Sequence, residues 1–182
     1  LGRPGALAGT PATAAEFGPG KALQLPDNTI PHLGDQLSVE AWFTTTASGV
    51  LVAAGTQQSS GVARGPMLYV GTDGKLRGAL DAVSSPITSA QRVNDGAWHH
   101  VVLTVAGAQQ RLYLDGRLVG TYNGTVSSWR RFATVGNGVA SSSTSPAVPS
   151  GTAAFPFRGS IDEVAIYGHP LTEEEVRRHY AA

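Results

Sequence analysis

Asp162 and Glu163 are the nearest this sequence comes to a paired carboxylate. Retaining glycoside hydrolysis needs two carboxyl groups about 5–5.5 Å apart. Neighbours on a strand point to opposite faces, so this pair cannot flank one bond. No other expected strand carries two carboxylates two or four residues apart. His99 and His100 follow Trp98; as strand neighbours they cannot chelate one metal together, and they read as hydrogen-bonded structural histidines. With no Cys in the chain there is no thiol nucleophile and no sulfur-ligated zinc. No Ser/His/Asp order with a nucleophile elbow is present. Gly71-Thr72-Asp73-Gly74 sits between strands rather than before a helix, so it is not a phosphate cradle.

Binding chemistry is better represented. Sugars stack their C–H faces on aromatic rings while polar groups orient the hydroxyls. Trp129 stands in a polar stretch, followed by Arg130 and Arg131, which suit a carboxylate or an acidic sugar. Tyr69, Tyr113 and Tyr122 are expected on outward strand faces. Trp42 shares a face with Ser38 and Glu40 and is a candidate for lining a concave sheet, although core packing is the favoured reading for Trp42 and Trp98.

These residues need a scaffold, and the pattern supplies short strands. Leu37, Val39, Ala41 and Phe43 alternate with Ser38, Glu40 and Trp42, a period of two. Leu112 and Leu114 share one face, Arg111 and Tyr113 the other. Asp73-Gly74 and Asp115-Gly116 are tight-hairpin signals, because Asp-Gly tolerates the positive φ of a type I′ turn. Asn123-Gly124-Thr125 matches a glycosylation sequon but reads as a turn. Residues 1–20 lack periodicity and read as a linker or loosely docked arm, with the domain spanning 21–182. Residues 139–156 read as a long irregular loop. After Pro170-Leu171, Thr172 and Glu175 have capping-box spacing, and Arg177, Arg178 and His179 suit a helix C-terminus. The expected fold is all-β: a two-sheet antiparallel sandwich of about twelve strands, with one short C-terminal helix.

Composition narrows the function classes. The chain has 182 residues, and 13 basic side chains balance 13 acidic ones. That balance argues against nucleic-acid binding through a basic surface and against a polybasic membrane module. No apolar run approaches the roughly 20 residues of a membrane span. Two Lys against 11 Arg, with abundant Ala and Gly, suggest a GC-rich bacterial genome. The chain opens without Met, basic n-region or apolar h-region, and is expected to be a module from a longer protein.

Three segments, LSVEAWF (37–43), GAWHHVVLTVAGAQQRLYLDGRLVG (96–120) and FRGSIDEVAIYGHPLTEEEV (157–176), together resemble the laminin-G-like jelly roll of the concanavalin A-like lectin/glucanase superfamily, in its bacterial branch. The resemblance covers about residues 20–180 and is far more specific for fold than for function. It implies that Trp98, His100, Leu112, Leu114, Asp115, Gly116 and residues 161–167 are mainly scaffold, and that a terminal segment packs back on the sandwich. Hydrolases of the superfamily use a Glu-x-Asp-x-x-Glu strand, which this sequence lacks. The family often carries Ca²⁺ at the rim. Asp162, placed by alternation with Val164 and Ile166 on the core face, is the first candidate ligand, and Asp27 the second. The acidic loop is shortened to Pro26-Asp27-Asn28, which lowers the expected affinity.

The expected function is a non-catalytic carbohydrate-binding module of a larger secreted or cell-surface protein. Trp129 would stack, Arg130, Arg131, Tyr69 and Tyr113 would assist, and Ca²⁺ would be structural. The alternative is an adhesion or spacer module that binds protein or positions neighbouring domains; a glycan-active hydrolase is the third reading, disfavoured by the missing carboxylate pair.

Overall fold

The computed structural model describes residues 2–7, 9, 11–30, 35–80, 85–124 and 130–182. Its elements are β1 (Arg3–Pro4), β2 (Thr13–Phe17), β3 (Leu23–Gln24), β4 (Gln36–Thr44), β5 (Gly49–Gly55), β6 (Gln58–Ser59), β7 (Val62–Ala63), β8 (Pro66–Val70), β9 (Lys75–Gly78), β10 (Ile87–Arg92), β11 (Trp98–Ala106), β12 (Gln109–Leu114), β13 (Arg117–Asn123), β14 (Phe132–Val135), β15 (Val139–Ser141), β16 (Thr152–Ala154), β17 (Gly159–Tyr167) and α1 (Glu173–Tyr180).

A seven-stranded sheet, ordered β1-β2-β17-β4-β11-β12-β13, faces a six-stranded sheet, ordered β10-β9-β8-β5-β14-β3. The strand pairings within both are antiparallel. β4 and β11 pair without interruption from Trp98↔Thr44 to Ala106↔Gln36. The period-two pattern therefore places Leu37, Val39, Ala41 and Phe43 opposite Leu51, Leu68 and Val135 in one apolar core. The result is the expected β-sandwich with a C-terminal helix.

At the Asp115-Gly116 turn both residues have positive φ, 49° and 72°, as a type I′ hairpin requires. The turn at Asp73-Gly74 differs: only Gly74 has positive φ. There Arg77 holds the Asp73 carboxylate through two 2.7 Å bonds and favours a wider loop.

Three expectations shift. First, the N-terminal segment contributes to the sheet: β2 pairs with β17 through Ile161↔Ala15, and Ala14 is fully buried. Second, residues 139–156 carry the β15–β16 hairpin and pack on the outer face of the six-stranded sheet. There Val50, Ala53, Tyr69, Ala140 and Phe155 form a second apolar cluster. Third, β17 contains a bulge. Asp162 faces Trp42 and Ala165 faces Glu40, so β17 advances three residues while β4 advances two. Glu163, at φ 47°, absorbs the extra residue. Ile161 and Ile166 can then both reach the core, while Asp162 turns to the outer face beside Trp42.

The helix covers that outer face. Thr172 and Glu175 form the expected capping box, and Arg177, Arg178 and His179 occupy the last turn. Val176 and Leu171 pack with Val102 and Tyr113 in a third apolar cluster.

Candidate functional site

Beneath the helix, Glu40 gathers three side chains. His100 Nε2 lies 2.6 Å from one carboxylate oxygen, and the Tyr167 hydroxyl donates to the other at 2.6 Å. His179 Nδ1 lies 3.1 Å from both. Burial pushes the Glu40 carboxyl up, but the bonds from His100, Tyr167 and His179 outweigh it and hold the group below its ordinary value. The Tyr167 phenol is pushed up to about 12 by burial and by its bond to Glu40. Carboxylate, imidazole and phenol are acid–base chemistry, yet Glu40 is 5% exposed and His100 is fully buried. Trp42 and Tyr180 stack over them with ring centroids 5.7 Å apart. The cluster joins the helix to β4, β11 and β17, with Glu40 and His100 buried and Tyr167 and His179 partly exposed.

The histidines divide as expected. His99 lies on the opposite side of β11 from His100, with Nδ1 2.9 Å from Asp115 and Nε2 3.1 Å from Asp95. The bond to Asp115 raises its pKa, against the opposing effect of burial.

The six-stranded sheet is different. A cleft of about 710 Å³ opens between the β15–β16 hairpin, the β6–β7 hairpin and the segment from Pro19 to Gln24. Gln24, Ser59, Arg64, Asn137 and Thr152 supply its polar groups. Arg64 is exposed and, among the described residues, is the one charged side chain in the lining. Asn137 is only 5% exposed. Its side-chain oxygen accepts from Gly138 N at 2.9 Å and its backbone carbonyl from the Thr134 hydroxyl at 2.8 Å. Its amide nitrogen has no partner among the described residues. Neither residue stood out in the sequence: Arg64 lies in no motif, and Asn137-Gly138 reads only as a turn.

The residues singled out from sequence have other surroundings. Trp129 lies outside the described residues. The Arg130 guanidinium reaches the Ala54 carbonyl at 3.5 Å, and burial lowers its pKa. Arg131 pairs with Asp27 at 3.0 Å and stands 5.1 Å from the Phe132 ring centroid. Tyr69 and Tyr113 do not face solvent. Tyr69 is 2% exposed and donates to the Pro146 carbonyl at 3.0 Å under the 139–156 segment, while Tyr113 is buried under the helix.

Asp162 accepts from the backbone N–H groups of Ala6 and Glu163 at 2.9 and 3.0 Å, tying the N-terminal segment to β17. Asp27 follows β3 at the edge of the other sheet and is neutralised by Arg131. Each of the two carboxylates thus has its own partners, on different parts of the fold. No group of three or more His, Asp or Glu among the described residues is placed to hold a metal ion.

No curated protein matches the chain. Solved structures share its fold. The CBM40 of Ruminococcus gnavus IT-sialidase, bound to α2,3-sialyllactose, matches with TM-score 0.60 and 15% identity over 92% of this chain and 98% of its own. Domain 4 of AbnA, a GH43 extracellular arabinanase from Geobacillus stearothermophilus in complex with arabinotriose, gives 0.57 and 19% over 92% and 81%. Trypanosoma rangeli sialidase with the inhibitor DANA gives 0.61 and 20% over 92% of this chain, which spans only 27% of the sialidase. The laminin-G family, described as the concanavalin A-like lectin/glucanases superfamily, matches residues 17–177. The bulged β17 and the unbroken β4–β11 ladder thus lie within the matched span, and the chain belongs to the laminin-G family of the concanavalin A-like lectin/glucanases superfamily.

Proposed function

We propose that this domain is a non-catalytic carbohydrate-binding module of a larger secreted or cell-surface protein, and that it binds sugar in the cleft of the six-stranded sheet. The observation that carries the reading is the cleft itself. It falls within the roughly 300–1,000 Å³ of small-ligand sites. It lies beside edge strands rather than under the helix, and Asn137 and Arg64, both able to donate, are part of its lining. The fold-sharing module of R. gnavus and the arabinanase domain were both solved with oligosaccharides bound, which supports the same reading. Among the described residues Glu40 and His100 are buried beneath the helix, which supports a non-catalytic role.

The test is binding to a panel of soluble polysaccharides, with Arg64→Ala and Asn137→Ala alongside. Saturable binding that both variants weaken, with folding intact, is the expected result. Among the described residues lining the cleft there is no aromatic ring, and this favours one second reading. A module without a stacking platform would bind protein or position its neighbours, and it would give no binding across the panel.

A further inference from the structure

We infer that the cleft is built for an acidic glycan, one carrying a carboxylate; the inference rests on the carbohydrate-binding reading above. Among the described residues the lining holds one cation, Arg64, and no Asp or Glu. The molecule does not lack acids to pair with arginines. Arg3 meets Glu16, Arg77 meets Asp73, Arg131 meets Asp27 and Arg177 meets Glu173. Arg64, like Arg92, Arg111, Arg117, Arg158 and Arg178, has no carboxylate partner among the described residues, but of these only Arg64 lines the cleft; its backbone N–H, donating to the Gln57 carbonyl at 2.9 Å, fixes where the side chain starts.

Asn137 adds an independent observation. It is nine-tenths buried, so the amide nitrogen left over from the Gly138 bond has only the cleft in which to find an acceptor. A planar guanidinium and an amide N–H are both donors, and a carboxylate is an acceptor with two oxygens. A guanidinium takes such a group in a two-point fork, which a neutral hydroxyl does not match. Ala22, Ala153 and Ala154, exposed in the lining, add apolar surface suited to the C–H face of a pyranose. A neutral sugar would partly desolvate Arg64 without returning a charge to it. A uronic acid would return one.

The experiment compares one polymer with and without its charge. Oligogalacturonate and its fully methyl-esterified form share a backbone and differ in the carboxylate. The wild-type domain is expected to bind the acid at least about tenfold more tightly at low salt, the share of one charge-assisted hydrogen bond. That preference should shrink as ionic strength rises. Arg64→Gln should abolish it while leaving the melting temperature unchanged, because Arg64 is exposed. Arg64→Lys should keep part of it, having the charge without the fork.

Equal binding of the acid and the ester overturns the inference and leaves the carbohydrate reading standing. An acid preference untouched by Arg64→Gln overturns the assignment to this cleft. A preference for dextran sulfate over dextran with none for the uronate overturns the carboxylate. No binding to these or to any neutral member of the panel overturns both readings together.

Discussion

His179, in the last turn of the C-terminal helix, stands with Nδ1 3.1 Å from each carboxylate oxygen of Glu40, in the middle of β4. The contact joins residues 139 positions apart and closes a cluster that His100 and Tyr167 complete from two more strands. One carboxylate thereby ties β4, β11, β17 and the helix together.

Glu40→Ala should therefore destabilise the domain well beyond a surface substitution. Removing the carboxylate strands three donors, and breaking a buried pair costs about 3 kcal/mol or more. Denaturant unfolding gives the size, and amide exchange gives the place. Exchange over residues 173–180 should accelerate before that of β4 and β11. Uniform acceleration would mean the cluster does not anchor the helix.

Stability should fall off on both sides of a broad pH optimum. Glu40 is depressed in the fold, so its contribution is present above the ordinary carboxylate range and is lost as pH falls through its folded value. Asp73, which its bond to Arg77 holds at about 2, extends that acid limb downward. His99 is raised, so its contribution is complete below about pH 6.5 and is lost as pH rises through its higher folded value. His99→Gln should flatten the alkaline limb and leave the acid limb alone in pH-dependent unfolding curves. An unchanged alkaline limb would count against the Asp115–His99 pair.

Tyr69→Phe should cost about 1 kcal/mol, through the lost bond to the Pro146 carbonyl. Burial raises the phenol, so Tyr69 should not ionise with the exposed tyrosines in a spectrophotometric titration. Glycan binding should persist in this variant. A selective loss of binding without loss of stability would return Tyr69 to the site.

A chelator should leave the melting temperature unchanged, because Asp162 is satisfied by two backbone N–H groups and Asp27 by Arg131. Asp162→Ala should instead cost about 1–2 kcal/mol, with faster exchange at the Ala6 amide. A Ca²⁺-dependent rise in melting temperature would show that metal enters at a point these carboxylates do not form.

Most local signals were read correctly, the Asp73-Gly74 turn, reshaped by Arg77, being an exception. The alternation of Leu37–Phe43, the Asp115-Gly116 turn and the Thr172–Glu175 capping box each depend on residues a few positions apart. The face of Asp162 was not legible, because one left-handed residue, Glu163, shifts the phase of β17 and no propensity marks it. Tyr69 and Tyr113 were misplaced for another reason. Alternation says which side of a sheet a residue takes, and it is silent on what distant segment lies over that side. Here residues 139–156 and the helix cover them. The cleft was hidden for the same reason: Arg64 and Asn137 meet only once two hairpins are docked.

The margins of the two sheets have a consequence of their own. β1 and β3, which end the sheets on one side, are two residues long. On the other side β10 and β13 both slip register against their neighbours, between Thr88 and Arg92 and opposite Leu112 and Tyr113. None of these four borders offers a long, regular row of free backbone groups on which a neighbour's strand could template itself. Many copies can thus crowd on one surface or follow one another along one polypeptide without zipping into fibrils.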